Sequence, residues 1–380
     1  MTLIAAAPHI KTIADRDRWN RFVESQETGN ITQTYEWGEL GHASGGRVLR
    51  LGASVNGELR AALLAVVERA PLLRRSYLYV PRGPVCDDPN SPALAALLAH
   101  TAKEARKLGA FMVKVEPNVR DGDTAWLAML AKAGYQRSPF ATHPRRSWVL
   151  DVTPSEEALL AAMKEKWRYN IRLAGKKGVT VRHSLDDGDI ATFYRIYEET
   201  AKRDGIWIHP QEHYASFLKL YGSRDAARLF IAEHEGVPIA CLIAARCGTV
   251  TTYMFGASSN QQRNRMPNHL LQWTAIRWAK ENGSAVYDFR AIAEVLEPDE
   301  DMYSLYTYKS GFGGESYLAL ETHDLPLNGP VYWAYRQTLA VKRKRDRDRH
   351  LAEVRARAAA SAKADTARAA EKKATTEEPA

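Results

Sequence analysis

Cysteine is scarce in these 380 residues, and the three present, Cys86, Cys241 and Cys247, form no even set and stand at no metal-ligand spacing. That pattern excludes a disulfide-stapled scaffold or a zinc ribbon and reads as reduced thiols, with Cys241 in an apolar strand. Long hydrophobic runs are also missing. None approaches the roughly 20 residues that span a bilayer, and the N-terminus lacks the charged, apolar and cleavage-site succession of a secretory signal. The expectation is a cytoplasmic protein, and no residue cluster calls for a metal. What is there is the composition of a globular chain, 45% hydrophobic and 26% charged, with length enough for two domains of ordinary size.

The most informative stretch runs from 253 to 313. A strand pattern from Tyr253 to Ser259 leads through Arg263, Arg265 and Asn268 into an amphipathic helix. A second strand, Val286 to Phe289, follows, and then Tyr308-Lys309-Ser310-Gly311-Phe312-Gly313. Strand, basic loop, helix and strand make a parallel crossover whose loop amides and helix N-terminus face one sheet edge, where a phosphorylated ligand can dock. This suits N-acyltransferase-like folds. The same parts occur earlier: Ser76 to Val80, the loop Pro81 to Pro84, a helix from Ala93 to Leu108, a strand from Phe111 to Val115, and Ala133-Gly134-Tyr135, which falls where Ser310-Gly311-Phe312 falls. A self-match of this length predicts an α/β fold in two tandem domains, 1–150 and 151–340, packed about a cleft.

Between them, Asp151 to Glu156 reads as a helix start with Thr153 as N-cap and Pro154 as the first helical residue. The helix is expected to run on through Leu159, Leu160, Met163, Trp167 and Ile171 and to end at Gly178, with Lys164, Arg168 and Arg172 beside the buried stripe. Such a row is either a solvated face or a phosphate contact. Net charge is +8, and from Lys342 onward twelve Lys and Arg stand against seven Asp and Glu, so +5 of the total belongs to 341–380. There a basic helix through Arg349 is expected to continue from Tyr332, and beyond Ala358 no apolar stripe remains, which predicts a disordered end. The basic run is open to three readings: a solvated face, RNA phosphates or anionic lipid.

Four segments in order carry a specific resemblance: Lys166-Trp167-Arg168-Tyr169-Asn170-Ile171-Arg172; Tyr253 to Ser259 with Met266-Pro267-Asn268 and Leu270-Leu271-Gln272-Trp273; Tyr287-Asp288-Phe289; and Tyr308 to Glu315. Together they resemble the Fem family of peptidoglycan bridge-forming enzymes. The resemblance implies two tandem N-acetyltransferase (GNAT)-like domains of the compact, monomeric type, the first holding the cell-wall precursor and the second approached by the tRNA 3′ end. It implies transfer of an amino acid from aminoacyl-tRNA to the stem-peptide amine of UDP-MurNAc-pentapeptide or lipid II, with no cofactor. It places Lys309 and Tyr308, a tyrosine where the family has phenylalanine, at the catalytic centre. Trp37, in Tyr35-Glu36-Trp37-Gly38, marks the precursor side, although the family's lysine there would fall near Gly41.

The chemistry stands beside the resemblance. Attack of an amine on an aminoacyl ester builds a tetrahedral oxyanion, and a cation in a water-poor site stabilises it. Lys309, followed by Gly311 and Gly313, suits that role; an exposed strand lysine is the bland alternative. Asp288, in mid-strand between aromatics, reads as a structural carboxylate, and no general base is assigned. Arg203 with His209 and Tyr214 offers a guanidinium grip on a diphosphate, unless Arg203 pairs with Glu198 or Glu199 across one helical turn. Tyr253 and Phe255, two apart on a strand, are expected on one face, near substrate or in the core. Arg168, Arg172, Arg263, Arg265, Lys342 and Arg343 are the candidate tRNA contacts. Three other classes compete, of which a structural scaffold explains neither the basic segments nor the Lys309 segment. An acyl-CoA-dependent N-acetyltransferase needs a glycine-rich pyrophosphate loop, which Gln261 to Pro267 is not; a non-catalytic RNA-binding protein leaves the Lys309 segment unexplained.

Overall fold

The computed structural model describes residues 6–70, 73–298, 300, 302–345 and 348–349. The chain opens with β1 (His9–Thr12), α1 (Arg16–Ser25), α2 (Tyr35–Ala43), β2 (Val48–Val55), β3 (Glu58–Arg69) and β4 (Ser76–Val80). The short β5 (Val85–Cys86), then α3 (Pro92–Lys107), β6 (Met112–Val115), α4 (Thr124–Lys132) and β7 (Gln136–Arg137) follow. Next come β8 (Arg146–Asp151), α5 (Glu156–Ala162), α6 (Glu165–Lys176), β9 (Val179–Ser184), α7 (Asp187–Asp204), α8 (Gln211–Gly222) and β10 (Ala227–His234). The rest are β11 (Val237–Cys247), β12 (Val250–Ser258), α9 (Pro267–Glu281), β13 (Val286–Ala291), α10 (Tyr303–Ser310), β14 (Glu315–Leu318) and β15 (His323–Pro326).

Two sheets result, and they repeat one plan. The first runs β1-β2-β3-β4-β6-β15-β7, with β5 paired to β3; the second, read in the matching sense, runs β9-β10-β11-β12-β13-β8-β14. In each, the fourth and fifth strands are parallel and joined by a helical crossover, and the other neighbours are antiparallel. The tandem GNAT-like architecture is therefore present. Its sixth strands are exchanged. β8, which ends the first half of the chain, pairs with β13 and β14 of the second sheet, while β15, which ends the second half, pairs with β6 and β7 of the first. A division at residue 150 thus passes through β8, and residues 323–326 of the expected second domain complete the first sheet. Both sheets lie in one compact unit that ends at Leu327; a separate unit joins Ala70–Arg74 to the chain from Asn328 and is helical from 329 to 345. The expected disordered end beyond Ala358 lies outside the described residues.

The bridge differs from its expectation. Ser155, not Thr153, caps α5: its hydroxyl accepts from Ala158 N at 3.3 Å, while the Thr153 hydroxyl is turned back to Asp151 Oδ1 at 2.7 Å. The helix also breaks at Met163, which is extended, before α6 begins after Lys164. Arg168 explains part of the break. Its guanidinium donates to the carbonyls of Ala161 and Met163, satisfying the end of α5 that a continuous helix would have bonded internally. Gly178 follows α6 at φ +76°, the left-handed stop that was expected.

Candidate active site

The parallel pair in the second sheet is short. β12 and β13 are in register only from Val250 to Thr252 against Val286 to Asp288, and a bulge in β12 at Met254 puts Tyr253 opposite Ala244 but Phe255 opposite Ile243. The bulge flips the alternation. Tyr253 packs in the core between the second sheet and α9, and Phe255 packs on the other face against Tyr214 and Phe217, so the two do not share a face as their spacing suggests. Where β12 and β13 part, a cavity of about 640 Å³ opens. Its second-sheet wall includes Thr252, Met254, Asp288 and Arg290; Arg82, Asn118, Arg120 and His143 come from the first half of the chain.

Charge inside this cavity is arranged by the backbone. Arg290 sits at φ +62°, and its amide donates to Asp288 Oδ1 at 2.7 Å while its guanidinium reaches Met254 O at 3.1 Å. Burial pushes the Asp288 carboxyl up, against the pull of that amide and of Arg290, Arg82 and Lys309. Asp288 thus faces a ligand-sized space, a placement the strand pattern alone does not reveal. Arg82, Arg120, His143 and Arg290 carry no sequence signal as site residues, because they lie far apart in the chain and only the sheet packing gathers them.

Lys309 is on a helix, α10, and is 5% exposed. The exposed strand lysine is ruled out. Its Nζ donates to Ala291 O, on the cavity wall, at 2.7 Å and lies 5.9 Å from the centre of the Tyr253 ring. Burial pulls this ammonium down to about 8, with Asp288 acting in the opposite sense. Tyr308 holds α10 in place: its hydroxyl donates to Asn268 O at 2.9 Å, and its ring packs edge-on to His269 and Phe312. Gly311 is obligatory because a Cβ there would lie 2.1 Å from the Trp167 indole, whose Nε1 donates to Tyr308 O at 3.0 Å. The Lys166 to Arg172 and Tyr308 to Glu315 segments are thus one constellation, and the first turn of α9 closes it through His269, which accompanies Asn170 at 3.1 Å.

The expected precursor-binding residues lie elsewhere. Arg203 bonds neither Glu198 nor Glu199: Nε and Nη2 grip Asp204 at 2.8 and 3.0 Å, and Nη1 donates to Ser258 O and Asn260 Oδ1 at 2.8 and 3.0 Å. Those bonds tie the end of α7 to the end of β12 and leave little of the fork for a diphosphate. Glu199 instead accepts from Asn260 N at 2.6 Å. Tyr214 is a core residue whose hydroxyl accepts from His209 N at 3.0 Å, and the His209 ring stacks on His213 at 3.9 Å. Trp37 packs half-buried on the core around Trp19 and Tyr221. None of these lines the cavity.

The basic candidates separate into two groups. Arg168 and Arg265 are engaged at helix ends, Arg265 donating to Lys177 O at 2.8 Å. Arg172, Arg263, Lys342 and Arg343 are exposed. No helix among the described residues is long and apolar enough to cross a membrane.

Two matching sheets, the parallel strands of the second splayed, and a buried lysine behind the cavity that opens there define an acyltransferase of the tandem GNAT type. Comparison with known proteins narrows this. The FemAB family pattern matches residues 15–235, and an acetyltransferase (GNAT) domain pattern matches residues 161–310. The chain belongs to the FemAB family. It is 24% identical to lipid II:glycine glycyltransferases of Staphylococcus aureus strains MRSA252 and USA300, covering 83% of this chain and 92% of each relative. Its fold is similar to the crystal structure of FemX, with a TM-score of 0.80 at 22% identity over 86% of this chain and 100% of that one. A tandem GNAT protein from the clavulanic acid biosynthesis pathway is a more distant likeness, with a TM-score of 0.53 at 13% identity over 85% and 99% of the two chains.

Proposed function

We infer that this chain is an aminoacyltransferase that moves an amino acid from aminoacyl-tRNA to the side-chain amine of the stem peptide in a peptidoglycan precursor, UDP-MurNAc-pentapeptide or lipid II, building the interpeptide bridge. The observation that carries the reading is Lys309, a buried ammonium bonded to the wall of a cavity in a FemAB-family fold. A tetrahedral oxyanion formed from the ester gains more from such a fixed cation than the neutral ester does, which is what lowers a barrier. Tyr308 and Trp167 act by holding Lys309 in register. Trp167, His269 and Tyr308 crowd the first turn of α9, the place where a CoA-using relative would keep an open pyrophosphate loop. That crowding favours a donor other than CoA.

Arg172, Arg263, Lys342 and Arg343 are the exposed cations that would meet tRNA phosphates. A donor carried on tRNA places the reaction on the cytoplasmic side of the membrane, with a monomer as the working form and a lipid-linked acceptor reached by peripheral contact. The experiment is direct: incubate the protein with UDP-MurNAc-pentapeptide and either aminoacyl-tRNA or acetyl-CoA, and weigh the product. A mass gain of one amino acid residue that RNase abolishes supports the reading. An acetyl gain that survives RNase rejects it.

A further inference from the structure

The loop between β7 and β8 brings to the cavity wall a cluster that the reading above leaves without a task. Glu116, just after β6, is 3% exposed. Its Oε1 accepts from the amides of Thr142 and His143 at 2.8 and 3.3 Å and from the Thr322 hydroxyl at 3.0 Å. Its Oε2 accepts from the Tyr79 hydroxyl at 2.5 Å and lies 2.9 Å from His143 Nδ1, which is itself 2.6 Å from the Tyr79 oxygen. Burial opposes ionisation of Glu116, but the bond from His143 and the charge that ring carries when protonated, with the bonds from Tyr79 and Thr142, outweigh it and hold the carboxyl at about 2. Burial and Glu116 push the Tyr79 phenol well up, so it keeps its proton.

These facts fix a tautomer. The single Tyr79 proton is already donated to Glu116, so Nδ1 must itself be a donor, to Glu116 or to the Tyr79 oxygen. A neutral imidazole then carries its lone pair on Nε2. His143 lines the cavity, and no hydrogen bond found among the described residues takes Nε2. A carboxylate orienting an imidazole whose free nitrogen serves a ligand space is the geometry of a general base.

We propose, resting on the aminoacyltransferase reading, that His143 is the proton acceptor of the transfer and that Glu116 and Tyr79 are its positioning residues. The acceptor nitrogen bonds to the ester carbonyl carbon and its proton passes to Nε2. The bond from that carbon to the ribose oxygen then breaks, and Nε2 returns the proton to the leaving oxygen. The imidazole ends neutral, and no co-reactant is consumed.

The test uses the full chain. With histidine rings labelled with nitrogen-15, the His143 signal, identified by its absence in H143N, should show Nδ1 protonated and Nε2 bare once a rising pH has made the ring neutral. A ring protonated on Nε2 overturns the proposal, and a tautomer unchanged in E116Q removes the positioning role. H143N keeps an amide nitrogen able to donate to Glu116, so the loop stays anchored. Single-turnover transfer in that variant should be about 100-fold slower or worse, with half-saturating precursor concentration little changed. A wild-type protein that transfers nothing from aminoacyl-tRNA rejects the parent reading. An active wild type with an equally active H143N overturns this proposal alone.

Discussion

Lys309 shows at the scale of one residue how function and stability oppose each other. Its ammonium is pulled down to about 8 by burial, from an ordinary lysine value of 10.5. In the role proposed above the working form is the cation, so the rate it supports is expected to be full below about pH 8 and lost as pH rises through it. We expect Lys309→Met to lower single-turnover transfer by roughly 10²-fold or more and to remove that alkaline limb, with precursor affinity little changed. Near-normal turnover in the variant would remove Lys309 from the mechanism. The sign for stability is the reverse. The unfolded lysine binds its proton more tightly than the folded one, so the fold carries a penalty that is fully present below about pH 8 and relieved toward 10.5. Lys309→Met should therefore raise the melting temperature at neutral pH. A lowered value would mean that the bond to Ala291 O matters more than the desolvation.

At the scale of elements, one of the exchanged strands, β15, is joined to its sheet by a buried ion pair. Lys114 on β6 meets Asp324 on β15 at 2.7 Å with both side chains 1% exposed, and Ser138 bridges them, accepting from Lys114 at 2.8 Å and donating to Asp324 at 2.6 Å. Asp324→Asn leaves an unmatched cation inside the first sheet, and we expect it to cost about 3 to 5 kcal/mol in urea unfolding. The double variant Lys114→Met, Asp324→Leu should recover most of that; an equally unstable double would point to strand geometry instead of charge. Such pairings explain what the sequence could not show. β4 was legible to the residue, and β12, α9 and β13 in outline, because alternation and helical period are local signals. The exchange of β8 and β15 was not, since two sheets of one plan offer the same vacant slot and local pattern cannot choose between them. The bulge at Met254 and the break at Met163 were missed for a related reason. Each is set by a partner, Ile243 and Ala244 across the ladder or Arg168 one turn on, that spacing within one element does not encode. For the candidate site, Lys309 was legible because its segment has a motif, whereas His143, Arg82 and Arg290 meet only through tertiary packing.

For the whole molecule, the exchange makes the two halves interdependent. A fragment ending at residue 145 lacks β15, so β6 and β7 lose their shared partner, and it should fail to unfold cooperatively; a sharp transition in that fragment would show that the sixth strand is dispensable. The tail behaves differently. Among the described residues, the three hydrophobic clusters of the two-sheet unit draw none from beyond Leu327, and Lys342 and Arg343 are exposed at the head of a run that carries six basic residues against two acidic ones through Arg349. Deleting 342–380 should therefore leave the melting temperature of the two-sheet unit unchanged. Each phosphate the run engages releases counterions without reading sequence, so the deletion should weaken tRNA binding and flatten its salt dependence by about one unit for every phosphate left unneutralised. If tRNA binding is unchanged while the truncated protein leaves anionic vesicles, the charge serves as a tether beside a lipid-linked acceptor. If neither binding changes, the run is a solvated helix face, and the donor is held by cations of the two-sheet unit, with Arg172 and Arg263 the next to substitute.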